Sequence, residues 1–382
     1  MKAVKKKIIR ACTVSMSIGF VRGMLQDLKK RYEVILVSSP GPELDETIAR
    51  YGVRGVPVSM ERHIAFFKDI RSLFELLILF RKERPSMVHS ITPKAGLLCM
   101  LAAWLARVPV RVHTFTGLVW PTSKGLKRLI LMTTDKVTCA CATHVIPEGE
   151  GVKNDLLNNN ITKKQIRVLG YGNIRGIDMI KFSRRESIVH KMDTLKIPNV
   201  FIFLFVGRIV KDKGVNELVA AFLKLYDECP NTRLWLIGHY ENDLNPIDVN
   251  TQQLIIGSQG INAIGTVHGE DLISYYAAAD CFVLPSYREG FPNTVLEAGA
   301  MDLPCIVTDV NGSREIIKQG ENGIIIPPRN VELLYDAMKC IYLDDYGRKQ
   351  MSLNARKMIS DRYEQSYVRK NLYDFYDEIL GQ

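Results

Sequence analysis

The chain reads as an α/β protein built of two doubly wound, Rossmann-like domains, and three observations carry that reading. Short apolar, β-branched runs alternate with helical patterns over the whole sequence, the signature of parallel strands covered by helices on both faces. The alternation breaks at one glycine-rich segment, residues 170–182 (GYGNIRGIDMIKF). At 382 residues the chain is long enough for two cores of ordinary size.

In the first half, strands are expected at Ile8–Thr13, Val34–Ser38, Val53–Val58, Met87–Ile91, Val110–Phe115, His144–Ile146 and Ile166–Leu169. Helical periodicity is clearest over Phe66–Glu83 and Ala95–Arg107, the latter stopping ahead of Pro109. The second half predicts strands at Val200–Val206, Arg233–Ile237, Ala263–Val267, Cys281–Leu284, Cys305–Thr308 and Gly323–Ile326. Between the halves the hinge falls within Gly170–Asn199, giving domains at 1–180 and 181–360 and a closing helix at 361–382. Tyr363, Tyr367, Leu372, Phe375, Tyr376 and Ile379 recur there at helical spacing, the mark of a packed helix. The segment 170–176 has the spacing G-x-G-x-x-x-G with no strand-to-helix turn after it, so it is set aside as a dinucleotide fingerprint.

Composition narrows the function classes. Apolar residues at 47% and charged residues at 24% describe a soluble globular chain, and no uninterrupted apolar run approaches the roughly 18 residues of a membrane span. The start, MKAVKKKIIRACTV, leads from basic residues into a strand rather than a signal-peptide core, so the chain reads as cytosolic. Eight cysteines without a C-x-x-C pair read as buried thiols rather than zinc ligands. Charge is lopsided: residues 1–185 hold 32 Lys+Arg against 14 Asp+Glu, net +18, while residues 186–382 hold 19 against 27, net −8. The first half is thus suited to an anionic partner, a nucleic acid or an acidic membrane surface, with a solubilising surface as the alternative. Dispersed cations without interleaved aromatics argue against nucleic acid.

Four motifs fall at the carboxyl ends of strands, where open parallel sheets bind ligands. In VGRIVKDKG (206–214), Gly207 opens a loop on which Arg208 and Lys213 can converge on a diphosphate, one as a planar fork and the other as a point charge. Two solvated loop charges are the alternative. In SYREGFPNTVLEA (286–298), Glu289 sits on a loop and Glu297 on a short helix that Asn293 is expected to cap. The backbone N–H groups of Gly290, Phe291, Thr294 and Val295 are expected to meet a sugar or phosphate around Pro292. Glu297 can take both hydroxyls of a ribose, or pair with a helical neighbour. In GTVHGE (265–270), Val267 offers backbone groups to a nucleobase, or simply ends a strand. His113 in VRVHTFTG ends a first-half strand, where it serves a structural role or contacts a sugar and a developing charge.

Together these motifs, with TDVNGSREIIKQGENGIIIPP (308–328) and HTFTGLVW (113–120), resemble the retaining glycosyltransferases of family 4 with the GT-B fold. The resemblance implies two Rossmann-like domains facing across a cleft, with the last helix packing back on the N-terminal domain. It implies that Arg208 and Lys213 neutralise a nucleotide diphosphate, that Glu297 binds ribose and that Glu289 contacts the transferred sugar. Gly290, Phe291, Pro292, Asn293, Thr294 and Val295 form the cradle, and His113 stands beside the reaction centre. At the usual glycine-rich loop of the first domain this chain has SMSIG, leaving Gly19 as the donor contact.

The resemblance further implies transfer with retention from a nucleotide sugar, by family habit UDP-linked, with no metal and no cofactor. The acceptor would be a polyprenyl-diphosphate saccharide of capsule or O-antigen type, met by a peripheral enzyme at the inner face of the membrane. A nucleotide-sugar 2-epimerase or a glycogen-type synthase on the same fold, and a nucleic-acid-binding protein, are the competing readings.

Overall fold

The computed structural model describes residues 5–61, 65–241 and 245–381, and the chain divides into two units, Met1–Arg175 with Ser366–Gln382, and Gly176–Gln365. In the first unit β1 (Lys7–Ala11), β2 (Glu33–Ser38), β3 (Arg54–Pro57), β4 (Met87–Ile91), β5 (Val110–Phe115) and β6 (His144–Pro147) form one sheet in the order β3-β2-β1-β4-β5-β6. Every pairing in it is parallel. Alternate residues feed two cores, Ile8 and Leu36 toward one face and Ile9 and Val37 toward the other, as the period-2 geometry of strands requires. Strand order reverses between β1 and β4, which makes that junction the crevice-forming point of the sheet.

The helix over Phe66–Glu83 matches its expected bounds. The next runs Pro93–Leu105 rather than 95–107: a proline at the first position loses no hydrogen bond, and the chain turns left-handed at Arg107. Ile166–Leu169, expected as a seventh strand, forms none. Its apolar residues signal burial, and Ile166 is buried in the core, but burial alone does not supply a strand partner.

The second unit repeats the plan with β7 (Phe201–Val206), β8 (Thr232–Ile237), β9 (Ile261–Gly265), β10 (Cys281–Leu284), β11 (Cys305–Thr308) and β12 (Gly323–Ile326), ordered β12-β11-β10-β7-β8-β9. Its reversal lies between β7 and β10. β9 sits two residues ahead of the expected 263–267 because buried Ile261 sets the register opposite Leu234, which leaves Val267 beyond the strand.

The boundaries also differ from 180 and 360. The chain changes unit after Arg175 and after Gln365, because Ile177 N–H donates to the Tyr363 carbonyl at 2.8 Å and Gln365 N–H to the Ile177 carbonyl at 2.9 Å. That pairing, with Phe182 in the core, binds 176–182 to the second unit. The expected C-terminal stripe is accordingly divided. Tyr363 ends a helix (Asp345–Tyr363) of the second unit, while Leu372, Phe375 and Tyr376 of the following helix (Gln365–Leu380) enter the core of the first. Of the cysteines, Cys340 is exposed and Cys229 half-buried; the other six are buried. Among the described residues no helix is long and apolar enough to cross a membrane.

Candidate functional site

A network of polar contacts stands at the β7/β10 switch of the second unit. Past Val206, Gly207 N–H donates to the Ile237 carbonyl at 2.9 Å, which fixes the loop start beside β8. Arg208 then ion-pairs with Glu241. A single turn over Lys211–Lys213 ends at Gly214, whose φ of +70° is left-handed and whose Cβ, if it had one, would lie 2.1 Å from the Pro285 carbonyl oxygen. This close approach laces the loop after β7 to the loop after β10. Tyr287 N–H donates to the Asp212 carbonyl at 2.8 Å, Arg288 Nε reaches the Asp212 carboxylate at 3.0 Å, and Lys213 Nζ meets Glu289 Oε1 at 2.5 Å. The Lys213 and Glu289 side chains are 20% and 10% exposed, so the pair is held in a partly desolvated place where its field is weakly screened.

The rest of the segment is braced from below. The Tyr287 hydroxyl donates to Glu217 at 2.6 Å and its ring lies 4.4 Å beneath the Arg329 guanidinium. Burial and the Glu217 carboxylate both raise the Tyr287 phenol above its ordinary range. Phe291 is buried with its ring centroid 5.4 Å from that of Tyr363. Its side chain therefore anchors the loop. Gly312, at φ +70°, fits under the same loop: a Cβ there would lie 2.3 Å from the Gly290 oxygen and 2.7 Å from Phe291 Cα.

The helix that follows runs Asn293–Ala300 and is capped by Pro292 rather than Asn293. Pro292 is extended at φ −72°, and its carbonyl accepts from Val295 at 3.1 Å and Leu296 at 3.4 Å. Asn293 is thereby drawn into the first turn, and the Val295 N–H, expected to meet a ligand, is committed to the helix. Of the positions expected to form the cradle, Gly290 and Phe291 precede the helix and Thr294 lies in its first turn. Glu297 lies farther along the helix, buried, and accepts from the Tyr276 hydroxyl at 3.2 Å. Complete burial and, after it, that carboxylate push the Tyr276 phenol well up, so it stays a donor. Val267 packs against the second core just past β9.

Two of the residues singled out belong to the first unit. His113 on β5 is 1% exposed; its Nδ1 is 2.9 Å from Ser90 Oγ, and its ring packs edge-on to Phe115 at 4.5 Å. Burial drives its pKa down to about 3, so the imidazole is neutral at physiological pH. Gly19 opens a four-residue helix, and a Cβ there would have open space around it. At the β1/β4 switch of this unit stands a feature that no motif announces. Thr92 has φ +78°, a costly conformation for a β-branched residue, and it is pinned by Thr13, whose Oγ1 lies 2.7 Å from Thr92 Oγ1.

Glu241, Asp212, Tyr363 and Gly312 are likewise site residues that the motifs do not single out. Asp212 lies within VGRIVKDKG and Tyr363 within the C-terminal stripe without a site role, and Gly312 lies in the N-G-S step of TDVNGS, a turn dipeptide whose partners Gly290 and Phe291 stand 22 and 21 residues earlier. Among the described residues no three His, Cys, Asp or Glu side chains converge as a metal site.

With this geometry the comparisons agree. Residues 189–358 match the family model described as glycosyl transferases group 1, and residues 20–172 match a glycosyl transferase 4-like domain. The chain is 34% identical over 386 aligned residues to the capsular polysaccharide biosynthesis glycosyltransferase CapM of Staphylococcus aureus, covering 99% of this chain and 98% of that one. It is 27% identical to the Escherichia coli UDP-Gal:alpha-D-GlcNAc-diphosphoundecaprenol alpha-1,3-galactosyltransferase, covering 93% and 92%. Among solved structures, Anabaena Alr3699/HepE in complex with UDP superposes with a TM-score of 0.79 at 16% identity, covering 97% of this chain and 100% of that one, which speaks for the fold. The chain is a member of the group 1 glycosyltransferase family.

Proposed function

We propose that this glycosyltransferase moves a hexose or N-acetylhexosamine from a UDP-sugar to a polyprenyl-diphosphate-linked saccharide in surface polysaccharide biosynthesis, with retention and without a metal. The observation that carries the reading is the Lys213–Glu289 pair at the β7/β10 switch, ahead of a helix N-terminus. Support for donor and acceptor comes from the printed activities of the relatives, one of which uses UDP-galactose and an undecaprenol diphosphate.

In this reading the bond from the anomeric carbon to the β-phosphate oxygen breaks while the acceptor oxygen bonds to the same face, and the acceptor proton passes to the departing phosphate. Charge grows on the diphosphate, and Lys213, Arg208 and the helix dipole at Gly290–Thr294 offset it. Arg208 exchanges Glu241 for phosphate when donor binds. Glu289, fixed by Lys213, accepts from hydroxyls of the transferred sugar, and Glu297 accepts from ribose. Gly207 and Val267 offer backbone groups to the nucleotide. His113, kept neutral by burial, acts as a hydrogen-bonding group and not as an acid; Gly19 contributes its backbone at the first-domain loop. The basic first half holds the enzyme at the inner face of an acidic membrane.

The test is a donor panel against a synthetic polyprenyl-diphosphate saccharide, with and without EDTA, followed by NMR of the new anomeric linkage. The reading expects a UDP-sugar, unchanged turnover in EDTA and a retained anomer. Conversion of donor without acceptor would assign an epimerase instead, and an inverted product would overturn the mechanism.

A further inference from the structure

The face of the first sheet that carries the helices Phe66–Glu83, Pro93–Leu105 and Gly125–Cys141, packed side by side in that order, presents an unusual outer surface. On the first of these helices the core takes Leu76, Leu79, Phe80 and Glu83. At about 100° per residue the opposite pole is occupied by Phe66, Ile70, Phe74 and Ile78, one every fourth residue, with Phe67 beside them. A water-facing pole should be polar. Here Phe67 is 86% exposed, Ile78 65% and Phe74 59%. The stripe from residue 66 to 78 is about 18 Å long at roughly 1.5 Å per residue. The helix Gly125–Cys141 adds exposed Leu126, Leu129 and Ile130.

Cations frame both stripes. Arg81, Lys82, Lys124, Lys127 and Arg128 are exposed, and among the described residues none of them is ion-paired. The acids of the first helix are already engaged: Glu83 turns inward to Arg54 and Lys7, Asp69 binds Lys94, and Glu75 binds Arg71. The one acid of the third helix, Asp135, is buried.

From this arrangement we infer that the three-helix face inserts its apolar stripes into the acyl boundary of a bilayer while its lysines and arginines contact anionic headgroups. Apolar side chains reaching a few ångströms into the headgroup boundary, with a basic surround, are what an interfacial helix requires. A second copy of the chain on this face would set cations against the same cations, since an isologous contact pairs each patch with itself. The inference rests on the lipid-linked acceptor proposed above and names the residues that bring the enzyme to it.

Vesicle binding is measured on the full chain with neither donor nor acceptor present, so it stands or falls apart from the transfer reaction. The probes are phosphatidylcholine vesicles with and without about 30% phosphatidylglycerol. Wild type is expected to co-sediment with the anionic vesicles and to keep part of that binding at high salt, because insertion is not screened. The variant Phe67→Ser/Phe74→Ser/Ile78→Ser is expected to lose roughly tenfold or more in partition coefficient, and Lys124→Ala/Lys127→Ala/Arg128→Ala to lose the salt-sensitive part. Both are expected to transfer sugar to a detergent-solubilised polyprenyl-diphosphate saccharide at the wild-type rate. Unchanged binding by the apolar variant would overturn the inference, as would a wild-type dimer that this variant dissociates. Should the triple variant misfold, Phe67→Cys in a Cys340→Ser background, labelled with an environment-sensitive fluorophore, gives a second readout: a blue shift on anionic vesicles supports insertion, and unaltered emission refutes it.

Discussion

Replacing Gly312 by alanine tests whether the cradle at Gly290–Phe291 is set by what lies beneath it. Two effects combine at this position. An L-residue at φ +70° carries left-handed strain of about 1–2 kcal/mol. The new Cβ would also lie 2.3 Å from the Gly290 oxygen, about 1 Å inside an ordinary carbon–oxygen contact of roughly 3.3 Å. Because the obstructing atoms are backbone, no side chain can swing aside, and the loop must move by about that distance. Gly320→Ala is the matched control: its φ is +75° and nothing lies within 4 Å of its Cβ position, so it has the strain without the clash. A displacement near 1 Å at a reacting site costs on the order of 100-fold. Gly312→Ala is therefore expected to lose about two orders of magnitude in kcat/KM for donor, while Gly320→Ala keeps wild-type kinetics. Both should show a similar strain-related fall in Tm, with overpacking adding about 1–3 kcal/mol to Gly312→Ala. Equal kinetics in the two variants would refute the argument that Gly312 positions the cradle.

Three further outcomes are expected. Lys213→Ala and Glu289→Ala should each lower kcat by roughly 100- to 1,000-fold with an unchanged far-ultraviolet CD spectrum, because each removes half of one partly buried pair; near-wild-type turnover in either would remove the pair from the reaction. His113 is held neutral by burial, with its pKa near 3, so transfer should be flat from pH 5 to 8 as far as this residue is concerned, and an acid limb near pH 6.5 that His113→Gln abolishes would contradict this. Burial raises the Asp135 carboxyl from 3.8 to about 7, opposed by the hydrogen bond from Trp120 Nε1 at 3.0 Å. The folded state thus holds a proton that the unfolded chain releases, so this contribution to stability is full below about pH 4 and is lost as pH rises to about 7. Asp135→Asn keeps an acceptor for Trp120 and removes the loss, stabilising the protein at pH 8 by at most ~4 kcal/mol, at about 1.4 kcal/mol per pH unit. Parallel Tm–pH profiles for wild type and variant would disprove it.

Much of the fold is legible in the order of residues. Twelve strands lie within a few residues of their expected places because parallel strands are buried on both faces and read as apolar runs. Burial and pairing give the same sequence signal, which is why Ile166–Leu169 reads as a thirteenth strand and yet forms none. Asn293 has the side chain of a cap, but Pro292 fixes the backbone one residue earlier and takes the role. The apolar, cation-flanked sequence Phe66–Arg84 fits a core helix or an approach to lipid, and the helix does pack, but hydrophobic spacing cannot tell a buried pole from an exposed one when both are apolar.

Local periodicity and turn chemistry are written in neighbouring residues, so the fold class, the two sheets and the motifs at their carboxyl ends can be read from the order of residues. Which side chains meet was decided by tertiary structure alone. Lys213 and Glu289 are 76 residues apart in the chain, and Gly312 lies under Gly290 and Phe291, 22 and 21 residues before it. Strand order sets such contacts, and strand order depends on how all the crossovers of a sheet pack at once, which no window of sequence contains.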